Sequence, residues 1–188
     1  MRRFLPSSLA LAAAMTSLPA LAQDAGQWAG PYGGTTFSSG SADQEYDDGG
    51  IYDLEGDGFG VILGYNMASG GWVYGGELAY SRVEIGQTDG SPFMFESFLD
   101  LKGRAGRPVG RALFYGTLGM TFTQWQEGNE SGLDGNGLLI GLGVDFLVSP
   151  NMVVGAEYVY RDVTSDWNAT DTFEADIRTF TLRAAYKF

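Results

Sequence analysis

Residues 176–188 read DIRTFTLRAAYKF, and this stretch decides the fold. Side chains on a β-strand point alternately to its two faces. On that period Phe180, Leu182, Ala184, Tyr186 and Phe188 share one face. Ile177, Thr179, Thr181, Arg183, Ala185 and Lys187 share the other. The segment is a strand with one apolar and one mixed face, and it finishes on an aromatic residue.

The pattern repeats along the chain. Strands are expected over 28–38, 58–67, 72–85, 93–106, 112–126, 137–148, 152–161 and 176–188. In the second, Phe59, Val61, Leu63 and Tyr65 oppose Gly58, Gly60, Ile62 and Gly64; in the sixth, Ile140, Leu142, Val144 and Phe146 oppose Gly141, Gly143 and Asp145. Polar, acidic loops are expected at 39–57, 86–91, 127–136 and 162–175. Short turns are expected at 68–71, 107–111 and 149–151. Connections therefore alternate long and short, with an even number of strands, as in transmembrane barrels.

The chain opens with Met1, Arg2 and Arg3, followed by an apolar run from Leu9 to Leu21 and the small-residue exit Ala20-Leu21-Ala22. This is the layout of a secretory signal peptide. Thr16, Ser17 and Pro19 interrupt a run already shorter than the ~20 residues a helical span needs. Residues 1–22 are read as a cleaved signal peptide and 23–188 as one domain. There is no cysteine, so no disulfide holds the fold. The formal net charge is −12, from 23 Asp and Glu against 11 Lys and Arg. Phosphate binding needs a basic footprint, so nucleic acid is excluded as a partner.

Trp28-Ala29-Gly30-Pro31-Tyr32-Gly33-Gly34 resembles the opening of a family of small outer-membrane β-barrel proteins that includes OmpA-like transmembrane domains and porin-like surface antigens. It departs from that pattern at Pro31 and Gly33. The terminal strand resembles the last strand of Gram-negative outer-membrane barrels, where a final Phe is read by the barrel-assembly machinery; the resemblance assigns that role to Tyr186 and Phe188. The implied fold is an all-β, eight-stranded antiparallel up-and-down transmembrane barrel, integral to the outer membrane, with both termini in the periplasm. Lipid and lipopolysaccharide are then its surroundings. Tyr65, Trp72, Tyr74, Tyr158 and Tyr160 are placed near strand ends as an aromatic girdle. A soluble lipocalin-like ligand-binding barrel would also alternate, with its apolar face inward.

The mixed faces carry Glu77, Glu96, Asp100, Lys102, Arg104, Asp145, Glu157, Arg161 and Arg183. An eight-stranded barrel is just wide enough for side chains to fill it. Acids and bases of both signs are expected to pair there and plug the lumen, Arg183 with Glu157 or Asp145. The alternative use of such a lining is selectivity in a narrow, cation-preferring channel. There is no histidine. Small outer-membrane enzymes of similar architecture rely on one as general base, so no enzymatic activity, catalytic residue or cofactor is assigned.

Sixteen of the 23 acidic residues fall at 39–58, 86–91, 127–136 and 162–176, with no Lys or Arg among them. Diffuse, weak divalent-cation binding fits such loops. Asp43, Glu45 and Asp47 have the spacing of an EF-hand start, but Asp48 and Leu54 stand where glycine and glutamate are needed, so no dedicated metal site is read. Asn129 and Asn168 fit glycosylation sequons and are given no role. The expected function is structural or surface-interacting, with the extracellular partner unidentified.

Overall fold

The computed structural model describes residues 25–45, 51–87, 93–127, 130–166 and 172–188, with side chains described outside 42–54, 84–96, 125–134 and 165–174. The expected signal peptide, the sequons, and the side chains of Asp43, Glu45, Asp47 and Glu96 lie outside the described residues.

A 3-10 turn, Ala25–Trp28, leads into eight strands: β1 (Gly30–Glu45), β2 (Ile51–Ser69), β3 (Trp72–Gln87), β4 (Phe93–Val109), β5 (Ala112–Glu127), β6 (Glu130–Leu147), β7 (Met152–Asp166) and β8 (Thr172–Lys187). Each pairs antiparallel with its neighbours in sequence, and β1 pairs with β8 to close the barrel. Closure leaves no edge strand, so the backbone groups of the wall are laddered on both sides of each strand apart from local register shifts, the condition for existing in hydrocarbon.

The side-chain alternation expected from sequence is present. Phe59, Leu63, Leu101, Leu118, Leu142 and Phe180 are among the large apolar residues exposed on the outer wall. Ile62, Glu77, Arg104, Leu113 and Arg183 are buried inside it. An apolar exterior around a charged interior inverts the arrangement of a water-soluble barrel.

The expected loops are corrected by this topology. The 39–57 and 162–175 loops are largely strand: β1 and β2 pair as far as Glu45 and Ile51, and β7 and β8 as far as Asp166 and Thr172. The strands run to 15–19 residues, whereas about 9–11 suffice to cross a bilayer. Polar sequence beyond the membrane still ladders, because both faces can be solvated once the apolar band ends. The loop at 127–136 shrinks likewise, since β6 begins at Glu130.

The short connections stay tight. Gly70 and Gly71 both have positive φ, 60° and 79°, the conformation of a two-residue hairpin turn. The first strand starts at Gly30 rather than Trp28. Gly30 has φ 115°, and the chain bends there so that Trp28 folds beneath the barrel instead of joining its wall.

Candidate functional site

The lumen is filled in layers. At the short-turn end Trp28, 1% exposed, packs with Ala25, Val73, Leu113, Leu147, Val153 and Ala185. Toward the other end Val83, Phe98, Val163, Ala175 and Ile177 are buried inside the wall. Between these apolar layers lie the charges.

Eight of the nine sequence-predicted lumen residues are buried there: Glu77, Asp100, Lys102, Arg104, Asp145, Glu157, Arg161 and Arg183. Glu96 is the ninth, and its side chain lies outside the described residues. The eight make two neutral groups. In the larger, Lys102 lies 2.8 Å from Glu77 and 2.7 Å from Glu157. Arg104 lies 2.7 Å from Asp145. Arg183 reaches Glu77 at 2.5 Å. Three acids thus face three bases.

Arg183 meets both of its expected partners and adds a third, unexpected one. Asp145 and Glu157 stand at 3.4 and 3.7 Å, while its short contact is to Glu77. The barrel is narrow enough that β8 and β3 meet across the axis, so neighbourhood along the wall is a poor guide to pairing.

The smaller group is Arg161 with Asp100. Its Nε and Nη2 donate to the two carboxylate oxygens at 3.2 and 2.6 Å, the planar fork geometry that arginine favours. Thr121 donates to Asp100 at 2.7 Å, Arg161 Nη1 donates to Thr179 at 2.7 Å, and the Phe98 ring lies 5.1 Å from the guanidinium.

Two tyrosines complete the larger group. Tyr32 donates to Glu77 at 2.8 Å and accepts from Arg104 at 3.1 Å. Tyr115 accepts from Arg183 at 3.2 Å, and its ring lies 3.8 Å from the Arg104 guanidinium. Thr117 donates to Glu157 at 3.1 Å. Charge counting overlooks these residues. The signal for them was the glycine opposite each ring: Gly64 pairs with Tyr32 and Gly143 with Tyr115. A Cβ at either glycine would enter the facing tyrosine.

Trp28, Tyr32, Asn66, Arg104 and Arg183 border a void of about 10 Å³, room for about one water molecule. Trp28 Nε1, Asn66 Oδ1, Arg104 Nε and Arg183 Nε accept or donate no hydrogen bond within the protein. Among the described residues no group of three or more acidic side chains is placed to hold a metal ion.

On the outer wall Tyr65, Trp72 and Tyr74 are exposed near the short-turn end, where Tyr186 and Phe188 also project. Tyr158 and Tyr160 stand mid-strand, because β7 continues to Asp166; Tyr160 donates to Asp176 at 2.5 Å. Phe188 donates its N–H to Pro31 at 3.0 Å and packs edge-on against Tyr186.

The family model for the outer membrane protein beta-barrel domain matches residues 9–188. This chain belongs to that family. It is also 30% identical over 148 residues to a 22 kDa outer membrane protein of Rhizobium leguminosarum bv. viciae, covering 75% of this chain and 67% of the relative. Among solved structures it is similar in fold to Neisserial surface protein A, with a TM-score of 0.61 at 13% identity over 84% of this chain and 97% of that one. The attachment invasion locus protein Ail of Yersinia pestis gives a TM-score of 0.54 at 18% identity over 85% and 99%. The protein is an outer-membrane β-barrel, which removes the exported soluble barrel as an alternative.

Proposed function

We propose that this barrel is a closed membrane scaffold, neither channel nor enzyme, that displays its extended acidic hairpins at the cell surface. The observation that carries this reading is the lumen: four acids and four bases, each buried, in contact with one another between two apolar layers. A conducting lumen would leave such charges hydrated and free to exchange with ions. Here each carboxylate is held by a lysine or arginine, which offsets the cost of desolvation only because the geometry is short and multiply hydrogen-bonded.

The absence of histidine and cysteine from the sequence supports a non-enzymatic role. The remaining carboxylates of the lumen are engaged with cations and are poor candidates for proton transfer.

The short turns and both termini are assigned to the periplasm and the acidic hairpins to the outside, following the usual asymmetry of such barrels. Phe188 with Tyr186 is assigned to recognition by the assembly machinery. The acidic hairpins then face the lipopolysaccharide leaflet, where bound divalent cations would bridge them weakly to lipid phosphates. Solute uptake into proteoliposomes tests the closed state. Swelling rates in small sugars should equal those of protein-free vesicles, whereas faster swelling would support a narrow channel.

A further inference from the structure

The outer wall carries a groove that the fold does not require. Its volume is about 980 Å³ and its floor is formed by Gly76, Gly103, Ala105 and Gly116. Lumen-facing glycines are obligatory: a Cβ at Gly106 or Gly119 would meet the backbone of the adjacent strand. The outer glycines are not. A Cβ at Gly76 meets nothing within 4 Å, and the nearest atoms to one at Gly103 or Gly116 are 3.6 and 3.8 Å away. None of the three has positive φ. Larger side chains would fit, as Leu78, Leu101 and Leu118 do on the same wall.

The groove has a direction. Met67 pairs with Tyr74, Tyr74 with Ala105, Ala105 with Gly116, Gly116 with Leu142 and Leu142 with Tyr158. Barrel strands tilt roughly 35–45° from the membrane normal, so a row across them climbs obliquely through the bilayer. Its low end is Tyr74, at the short-turn rim.

A cation waits at that end. Tyr74 stacks on Trp72 with ring centroids 6.4 Å apart, and the Arg107 guanidinium lies 5.8 Å from the Trp72 ring. Arg111, on the same rim, lies 5.6 Å from Phe146. Both arginines are exposed. An aromatic face holds a guanidinium while leaving its N–H edge free to donate to a phosphate.

We propose that the groove binds an anionic glycerophospholipid of the periplasmic leaflet, its phosphate at Arg107 and one acyl chain lying over Gly76, Gly103, Ala105 and Gly116. The cation at the mouth matches a negative head joined to an apolar tail. A second copy of the chain fits less well, because barrels inserted in the same direction would bring their basic rims together at one height. The leaflet rests on the orientation proposed above. The groove does not, so binding in micelles tests the site even if that orientation fails.

The experiment is native mass spectrometry of the folded barrel in a non-ionic detergent, titrated with phosphatidylglycerol or with phosphatidylcholine of identical chains. One phosphatidylglycerol should be retained about fivefold more tightly than phosphatidylcholine. Arg107→Gln should bring the two to one level. Gly103→Leu with Gly116→Leu should lose both, and if that variant fails to fold, Gly103→Ala with Gly116→Ala should weaken both. Equal retention of the two lipids by the unmodified barrel overturns the proposal. So does full retention in every variant, or a dimer that the groove-filling variant dissociates without loss of lipid.

Discussion

Arg183 Nη2 stands 2.5 Å from Glu77 Oε2, joining β8 to β3 across the lumen although the residues are 106 positions apart in sequence. Glu77 also receives Lys102 at 2.8 Å and the Tyr32 hydroxyl at 2.8 Å. Truncating Arg183 leaves this carboxylate short of its nearest cation in a site that admits little water. Arg183→Ala should therefore destabilise the barrel by about 3–5 kcal/mol, and Arg183→Lys by less, since Lys keeps the charge but not the fork. Urea unfolding in lipid vesicles measures both. Equal stability of Arg183→Ala and the unmodified protein would remove the network from the energetics of the fold.

Two glycines in adjacent strands predict opposite outcomes. A Cβ at Gly119 would stand 2.9 Å from the Lys102 Cα, against backbone that cannot yield, whereas one at Gly103 has its nearest atom 3.6 Å away. Gly119→Ala should cost about 1–3 kcal/mol, and Gly103→Ala should change stability by no more than about 0.5 kcal/mol. The same unfolding measurement compares them, and a reversed order would contradict the assignment of faces.

The fold was legible because alternation, turn glycines and the rhythm of connections all report on backbone and solvent at once. Phe180 and Leu182 outside with Arg183 inside follow from period two alone. The lengths of the hairpins were not legible. Acidic, glycine-rich sequence such as residues 39–57 reads as loop, yet the ladder between β1 and β2 continues into it from strands already paired, as far as Glu45 and Ile51. The lumen charges could be placed on a face, but their partners depend on which strands oppose across the axis. That is set by barrel diameter and shear, which no single strand encodes. Trp28 was legible as a marker and not as the floor it forms, because its burial comes from a bend at Gly30.

The proposed recognition of the terminal strand sets Phe188 apart from the other exposed aromatics. Phe188 is 75% exposed, and Phe37, 39% exposed, rests on the Phe59 ring with centroids 5.1 Å apart. Phe188→Asp should lower the amount of folded barrel in the outer membrane more than Phe37→Asp, although it buries less. Immunoblots of outer-membrane fractions with and without boiling give the yield. Equal yields would separate Phe188 from assembly.

Orientation can be read with single cysteines, since the sequence has none of its own. Thr164 and Ser69 are both exposed, at opposite ends of the barrel. A membrane-impermeant maleimide should label Thr164→Cys on intact cells and Ser69→Cys only after the outer membrane is permeabilised. The reverse pattern would place the short turns outside.

Whether paired charges close the lumen is decided by single-channel recording in a planar bilayer. The unmodified barrel, inserted and shown to be folded by its heat-modifiable mobility, should give no stable current steps at either polarity. Reproducible, cation-selective openings of the unmodified protein would contradict the closed lumen and make the ion pairs the lining of a pore.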